Sequence, residues 1–168
     1  MKKIGIISDT HSCWDKNIVK YFKSCDEIWH AGDIGNLEIT DKLAEIAKIR
    51  CVYGNIDDYK IRQEFPKEQL INYKNLKIYM THIGGKPYNY NNYCKKKLKE
   101  IKPDIFICGH SHICKIMYDK NLKLLYINPG SSGYFGFHKI RTIVRLEMHS
   151  KSFKNIEVIE LGLRGKST

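Results

Sequence analysis

Five short apolar segments of this chain each end in a cluster of Asp, Asn, His and Gly residues, and this pattern limits the fold more than any other feature. The first cluster lies at positions 8–11, and the others lie at 30–33, 54–57, 81–82 and 109–112. Loops at the carboxyl ends of parallel strands meet at one edge of a sheet, where ligands bind. The pattern therefore predicts strands that deliver polar side chains to a common edge.

The spacing of apolar residues predicts an α/β fold. In the first half, strands are expected at 3–8, 27–30 and 49–53 with helices at 14–23 and 36–47, and this alternation implies parallel pairing. In the second half, hairpins are expected at 70–81 and 113–127, and a basic helix is expected at 93–101. Further strands are expected at 104–108, 142–148 and 156–161. Two sheets packed face to face, with helices outside, would accommodate these elements. We expect one domain over residues 1–168.

The composition indicates a folded protein with a basic surface. Hydrophobic residues make up 42% of the chain, which argues against disorder. The net charge of +11 would suit nucleic acid, but the lysines are scattered, so this partner is not favoured. No apolar run reaches membrane-span length and the N-terminal one stops at Asp9, so we expect a cytoplasmic protein with no secretory signal and no membrane partner. The six irregularly spaced cysteines fit reduced thiols.

The residue types in the polar clusters favour a pair of metal ions. Asp-x-His at 9–11 and His-x-His at 110–112 each place two side chains on one side of an extended segment, so both can enter one pocket. Carboxylate and imidazole together suit Mn²⁺, Fe and Zn²⁺, whereas oxygen ligands alone would suggest Mg²⁺ or Ca²⁺. A carboxylate can bridge two ions about 3.5–4 Å apart, which can hold a hydroxide for in-line attack on phosphorus.

The ordered motifs D-x-H, G-D, G-N-x-D, T-H and G-H-S-H, followed by Asn128-Pro129-Gly130-Ser131, resemble the calcineurin-like metallophosphoesterase superfamily. The resemblance covers residues 4–147 and extends to the small single-domain branch that includes the YfcE-type phosphodiesterases and the Vps29 retromer subunit. It implies a four-layer α/β/β/α sandwich with two divalent metal ions, Mn²⁺ being favoured and Fe, Ni²⁺ or Zn²⁺ being alternatives. It implies one metal site of Asp9, His11 and His112, a bridging Asp33, and a second site of Asn55, His82 and His110, with catalytic roles for Asp33, Asn55 and His82.

One departure from the family pattern bears on the substrate. Many members carry histidine in G-N-H-D, where it contacts substrate and can protonate the leaving group, whereas this chain has Ile56. An isoleucine cannot donate a proton. Members without this histidine tend to favour phosphodiesters with good leaving groups. The resemblance therefore implies a phosphodiesterase that hydrolyses a small phosphate ester by attack of a metal-bridging hydroxide. Residues 83–87 also differ from the usual T-H-G-H continuation, which predicts a reshaped pocket lip.

Several positions near these motifs receive specific predictions. Asp57 is expected to hydrogen-bond within its own turn, His30 to lie in the core or behind a metal ligand, and Ser131 to donate a hydrogen bond behind the site. His138 and Arg141 follow the 128–131 turn, and they are the candidates for gripping a phosphate or supplying the missing acid. The polar, aromatic segment at 87–93 is either a lid that stacks on an aromatic group or an ordinary surface loop.

Two other functions stay open from the sequence. A Vps29-like protein-binding scaffold with weak or no catalysis would use the same fold, because fold does not determine function. Scaffolding members typically lose metal-site residues, and all seven expected ligands are present here, so the enzyme is favoured. A nuclease or cyclic-nucleotide phosphodiesterase would share the chemistry and differ in its substrate. Homo-oligomerisation is also left open.

Overall fold

The computed structural model describes residues 1–165. Its strands are β1 (Lys2–Ile7), β2 (Glu27–His30), β3 (Lys48–Cys51), β4 (Glu68–Tyr73), β5 (Leu76–Thr81), β6 (Gly85–Lys86), β7 (Asn89–Tyr90), β8 (Ile105–Ile107), β9 (Cys114–Asp119), β10 (Leu124–Pro129), β11 (Ile140–Met148) and β12 (Phe153–Leu163). Its helices are α1 (Asn17–Phe22), α2 (Leu37–Ala44), α3 (Tyr59–Glu64) and α4 (Asn92–Ile101). Among these described helices, none has the length and apolar character needed to span a bilayer.

Both large sheets are built around three parallel strands. Sheet A has the order β12-β11-β1-β2-β3, in which β1, β2 and β3 are parallel and β11 and β12 are antiparallel. Sheet B has the order β4-β5-β8-β10-β9, in which β5, β8 and β10 are parallel and the two outer strands are antiparallel. Strands β6 and β7 form a separate short hairpin.

Three hydrophobic clusters separate the layers of the fold. The central cluster lies between the sheets and joins Ile4 of β1 to Ile105 and Ile107 of β8. A second cluster packs α1, α2 and α3 on the outer face of sheet A, and a third packs α4 on the outer face of sheet B. Phe106 belongs to the outer cluster although both its neighbours face inward, because successive side chains of a strand point to opposite faces. The predicted four-layer α/β/β/α sandwich is confirmed.

Most predicted elements are present, with differences at their ends and two omissions. Helix α2 begins at Leu37 because the Asn36 side chain caps it, accepting a hydrogen bond from the Ile39 N–H. Helix α1 is shorter than the predicted 14–23 segment. The sequence pattern did not indicate α3, because Ile61 is its one buried side chain and a single apolar residue defines no helix face. It did not indicate the β6–β7 hairpin, because strands of two residues are too short to show alternation.

A buried carboxylate links the three parallel strands of sheet A. Glu27 of β2 is 2% exposed and accepts hydrogen bonds from Lys2 of β1 (2.5 Å), Trp29 of β2 (2.9 Å) and Arg50 of β3 (2.9 Å). Burial alone would raise the pKa of Glu27, but the hydrogen bonds from Arg50, Lys2 and Trp29 outweigh burial and lower this pKa to about 2. The ionised form of Glu27 therefore stabilises the fold.

We expect Glu27→Gln to lower the free energy of unfolding at neutral pH by about 1–3 kcal/mol. Because the pKa of Glu27 is lower in the folded chain than in the unfolded chain, its contribution is present above pH 4.5 and is lost as the pH falls from 4.5 towards about 2. Urea unfolding at several pH values measures both effects. Glu38→Gln, which removes an exposed pair with Lys42, is the control and should lower the free energy of unfolding much less than Glu27→Gln. An equal loss in both variants would contradict this prediction.

Candidate metal centre

The polar clusters converge at the carboxyl ends of the parallel strands of both sheets. Sheet A contributes four side chains, from the loops after β1, β2 and β3, and sheet B contributes three, from the loops after β5 and β8. The structure brings all seven predicted ligands into one region, namely Asp9, His11, Asp33, Asn55, His82, His110 and His112.

The first group of candidate ligand atoms comes from Asp9, His11, Asp33 and His112. One ligand atom from each of these residues lies within 4.8 Å of the others. The Nε2 atom of His112 is 3.1 Å from Asp9 Oδ1 and 3.4 Å from His11 Nε2. The Nε2 atom of His11 is 3.7 Å from Asp33 Oδ2. Two imidazoles and two carboxylates therefore face a single point.

The second group is formed by Asp33, His82 and His110, whose ligand atoms also lie within 4.8 Å of one another. The Nε2 atom of His82 is 3.2 Å from Asp33 Oδ1 and 3.1 Å from Asn55 Oδ1. Asp33 thus belongs to both groups, with Oδ2 turned to His11 and Oδ1 turned to His82. This is the arrangement that a carboxylate bridging two ions requires.

Most of the converging residues have a left-handed backbone, with φ between 46° and 67° at Asp9, His11, Asp33, His110 and His112. This conformation costs an L-residue roughly 1–2 kcal/mol, so it persists only where neighbouring structure enforces it. The loops after β1 and β2 hold each other in place, because the N–H groups of Asp9 and His11 donate to the carbonyls of Gly32 (2.9 Å) and Asp33 (3.0 Å).

Hydrogen bonds behind the ligands fix their orientation. The Nδ1 atom of His82 is 2.8 Å from the Ala31 carbonyl, and a carbonyl can only accept, so Nδ1 carries the proton and Nε2 faces Asp33. The Asn128 amide donates to the Gly109 carbonyl (2.8 Å) and accepts from the Gly130 N–H (3.0 Å), which braces the loop after β8.

The three predictions for supporting residues are confirmed. The Asp57 carboxylate accepts from the Gly54 N–H (2.7 Å) within its turn. The Ser131 hydroxyl donates to the Asp9 carbonyl (3.0 Å). His30 is fully buried, and its Nε2 atom contacts the Thr10 hydroxyl (2.9 Å) behind the β1 loop.

Two glycines lie so close to the candidate ligands Asp33 and Asp9 that no other residue would fit in their places. A Cβ atom at Gly54 would be 2.0 Å from Asp33 Oδ1 and 2.3 Å from the Asp33 nitrogen. A Cβ atom at Gly109 would be 2.0 Å from the Ser8 hydroxyl and 2.7 Å from Asp9 Oδ2. The glycines of the G-N-x-D and G-H-S-H motifs therefore let the backbone approach the carboxylates closely.

The donor set fits divalent metal ions. Asp9 Oδ1 is buried without a hydrogen-bond partner, although the Nε2 atoms of His112, His11 and His82 lie 3.1, 4.0 and 4.0 Å away. A buried, unpaired carboxylate oxygen is costly unless a cation neutralises it. Imidazole nitrogens and carboxylate oxygens facing one point are the ligands that first-row transition metals prefer.

The carboxylates raise the pKa values of the candidate histidine ligands, whereas burial lowers them. The negative charge of Asp9, whose Oδ1 atom lies 3.1 Å from His112 Nε2, raises the pKa of His112. Burial lowers the pKa of His82, but contacts with Asp33 and Asp9 outweigh burial and raise that pKa overall. Burial lowers the pKa values of His11 and His110, which favours the neutral imidazole that a metal ligand needs. The carboxylates thus attract positive charge to a partly buried site.

The structure does not place Arg141 where it could grip a substrate, which corrects the prediction for this residue. Arg141 is 5% exposed, and its guanidinium donates to Asp15 Oδ2 (2.8 Å) and to the carbonyls of Leu161 (3.0 Å), Ser132 and Leu163 (3.3 Å each). These bonds occupy the donors that a phosphate would need. The sequence could not show this, because Asp15 lies 126 residues away along the chain.

His138 lies beside the candidate centre but faces away from open solvent. Its ring centroid is 5.3 Å from that of His112, and its Nε2 atom is 3.0 Å from the Gly133 carbonyl. The ring is 9% exposed, and Nδ1 has no hydrogen-bond partner. This position suits support of His112 better than the predicted grip on a phosphate, since the protonated nitrogen is already used by a carbonyl.

Two grooves begin at the second group of ligands. The tyrosine groove, about 420 Å³ in volume, is lined by Tyr53, Asn55, Arg62, Lys67, His82 and Tyr93. The second groove, about 480 Å³, is lined by Lys86, Asn89, His110, Ser111, Ile113 and Lys115. The predicted reshaping of the lip at 83–87 fits this layout, since Ile83 lines the first groove and Lys86 lines the second.

The sequence-based reasoning missed Arg62 and Lys67. Arg62 lies on α3, a helix that the sequence pattern did not indicate. Its Nε and Nη2 atoms donate to the carbonyls of Asp57 (2.7 Å) and Asn55 (3.2 Å). The available signal was Asp58, an N-cap residue just after the G-N-x-D motif. Within the 87–93 segment, Tyr93 lines the tyrosine groove, whereas Tyr90 is buried against sheet B.

Comparisons with known proteins agree with this geometry. Residues 1–151 match the model of the calcineurin-like phosphoesterase superfamily domain. A probable metallophosphoesterase of Methanocaldococcus jannaschii is 35% identical over an alignment of 136 residues, and the match covers 76% of this chain and 67% of the relative. The structure of a novel archaeal phosphodiesterase is 26% identical, with a TM-score of 0.73 over 95% of this chain and 99% of its own. Zinc-complexed Vps29 of Entamoeba histolytica shares the fold, with a TM-score of 0.73 and 18% identity over 94% of this chain and 98% of its own.

Proposed function

This chain belongs to the calcineurin-like phosphoesterase superfamily, and from that premise we propose that it is a metal-dependent phosphoesterase that hydrolyses phosphodiesters. The observation that carries the proposal is the position of Asp33, whose two carboxylate oxygens face different groups of imidazole nitrogens. The similarity to the probable metallophosphoesterase of M. jannaschii supports the same activity.

The ligand assignment follows from the two groups. Asp9, His11 and His112 would hold one ion, Asn55, His82 and His110 would hold the other, and Asp33 would contact both. Mn²⁺ suits this mixed oxygen and nitrogen set, with Fe, Ni²⁺ and Zn²⁺ as alternatives. Such ions supply Lewis acidity toward phosphoryl oxygens and generate hydroxide from water near neutral pH.

The protein side chains contribute orientation rather than proton transfer to the leaving group. His82 is held by Ala31, and the Ile56 N–H donates to Asp33 Oδ1 (3.1 Å), so the shared carboxylate keeps one position. The Ile56 side chain is 46% exposed beside Asn55 and cannot protonate a departing oxygen. Esters whose leaving group departs as a stable anion are therefore the best substrates.

The two grooves favour a diester over a monoester. Each groove borders different candidate ligands: Asn55 and His82 line the tyrosine groove, and His110 lines the second groove. A phosphorus atom held at this group can direct one ester arm into each groove, whereas a monoester has only one arm to bind. Transition-state contacts with two arms raise kcat/KM for the diester.

The test compares two substrates with the same leaving group. After reconstitution with Mn²⁺, Fe²⁺, Ni²⁺ or Zn²⁺, we expect kcat/KM for bis(p-nitrophenyl) phosphate to exceed that for p-nitrophenyl phosphate by at least about tenfold, a difference of about 1.4 kcal/mol. Metal content is measured on the same samples. An equal or reversed ratio would contradict the diester preference. If the protein binds two ions but hydrolyses neither ester, the proposed phosphoesterase activity is contradicted.

A protein-binding scaffold is the second candidate. Its support is the fold shared with Vps29, and at 18% identity that similarity concerns the fold alone. The converging ligand set gives the enzyme the stronger support, and a small phosphate ester is the partner that we propose. Nucleic acid stays less favoured because the lysines are dispersed.

A further inference from the structure

The tyrosine groove carries two positive charges that the protein itself does not neutralise. Arg62 donates only to backbone carbonyls, and Lys67 lies over the Tyr93 ring, with its Nζ atom 5.1 Å from the ring centroid. Within residues 1–165 neither cation forms an ion pair, and the described lining of the groove includes no Asp or Glu. The nearby Glu68 is engaged by Lys97, Tyr79 and Tyr93. A ligand with negative charge would therefore be attracted to this groove.

The same groove presents aromatic rings that are fixed in place. The Tyr93 hydroxyl donates to Glu68 Oε2 (3.0 Å), and the guanidinium carbon of Arg62 lies 5.0 Å from the Tyr53 ring centroid. Tyrosine rings and arginine planes are the surfaces on which planar bases stack. Because these side chains are already held, little conformational freedom is lost when a ligand binds.

The groove has the size and position of a substrate subsite. Its volume of about 420 Å³ falls in the range of roughly 300–1,000 Å³ found for small-molecule sites. Arg62 also contacts the backbone carbonyl of Asn55, so the cationic wall of the groove is joined directly to a candidate metal ligand.

We propose that the tyrosine groove binds one arm of the diester, an arm that combines a planar aromatic ring with negative charge, as in a nucleotide. The ring contacts Tyr53 and Tyr93, and the charge faces Arg62 and Lys67. The second groove, whose described lining includes Lys86, Lys115 and a single tyrosine, Tyr126, receives the other arm. This inference rests on the proposed phosphodiesterase function and specifies its substrate class.

Binding of adenosine monophosphate (AMP) to the full-length, metal-free chain tests the proposal without turnover. By titration calorimetry we expect AMP to bind at least about tenfold more tightly than adenosine or inorganic phosphate, since only AMP carries both ring and charge. Tyr93→Ala should weaken AMP binding about tenfold, and Arg62→Gln should weaken it by a similar factor. Tyr93→Phe keeps the ring but loses the hydroxyl bond to Glu68, so it should weaken AMP binding far less than Tyr93→Ala, which separates loss of stacking from misfolding. The matched control is Tyr118→Ala, because Tyr118 is an exposed tyrosine on β9 outside both grooves and its removal should leave AMP binding unchanged.

Several outcomes would overturn the subsite. These are no AMP binding, equal affinity for AMP and inorganic phosphate, unchanged affinity in both Tyr93→Ala and Arg62→Gln, or a larger effect from Lys115→Gln than from Arg62→Gln. The two proposals fail separately. Hydrolysis of bis(p-nitrophenyl) phosphate without AMP binding would contradict only the proposed subsite. AMP binding that depends on Tyr93, without any hydrolysis, would contradict only the proposed phosphodiesterase activity.

Discussion

Replacing Asp33 with asparagine is expected to lower kcat/KM for bis(p-nitrophenyl) phosphate by about a thousandfold or more. The substitution keeps the shape of the side chain but removes the charge that faces both His11 and His82. One of the two oxygens also becomes an NH₂ group, which cannot act as a metal ligand. Both groups of ligands are weakened by one change, so the loss should exceed that from any residue belonging to a single group.

The measurement is the hydrolysis rate of the reconstituted variant together with its metal content. We expect fewer than two ions per chain in Asp33→Asn under conditions that load the unmodified protein. Asp41→Asn, an exposed aspartate on α2, is the control and should leave both quantities unchanged. Full activity and full metal content in Asp33→Asn would show that catalysis takes place elsewhere.

The sequence predicted the layers of the fold and the convergence of the polar clusters because both depend on local patterns. Alternation such as Ile105-Phe106-Ile107 assigns side chains to opposite faces, and this assignment is what separates the central cluster from the outer one. The position of each polar cluster directly after a strand then fixes which edge it reaches.

The grooves and the role of Arg141 could not be predicted in the same way, because they depend on contacts between distant segments. The tyrosine groove is assembled from residues between 53 and 67, between 81 and 83, and between 91 and 93, and part of it lies on a helix of only six residues. An arginine near a candidate site can bind a phosphate or an internal carboxylate equally well. Only the folded position of Asp15 decides between these roles for Arg141.

The ion pair of Asp15 and Arg141 leads to the second large expected effect, which is on stability. Asp15 is 8% exposed and Arg141 is 5% exposed, with 2.8 Å between Oδ2 and Nη1. Removing one member of a buried pair leaves the other charge without a partner, which typically costs about 3–5 kcal/mol. We expect Asp15→Asn to lower the free energy of unfolding by about this amount, measured by urea denaturation. Asparagine keeps an oxygen that can accept the Asn17 N–H, so the local turn is retained while the charge and the acceptor that face Arg141 are lost.

Two further variants determine whether the cost comes from the unpaired guanidinium. Arg141→Met combined with Asp15→Asn removes both charges and should recover much of the stability, because a buried pair can often be replaced by apolar groups at little cost. Glu157→Gln removes an exposed partner of Arg145 and should cost less than about 1 kcal/mol. If Asp15→Asn costs no more than Glu157→Gln, the buried pair stabilises the fold no more than an exposed pair does.

Asp15 lies between the β1 loop and α1, and Arg141 also bonds to Ser132, which follows the 128–131 turn. A large loss in Asp15→Asn should therefore be accompanied by weaker metal binding, since the same pair holds the loop that carries Asp9 and His11.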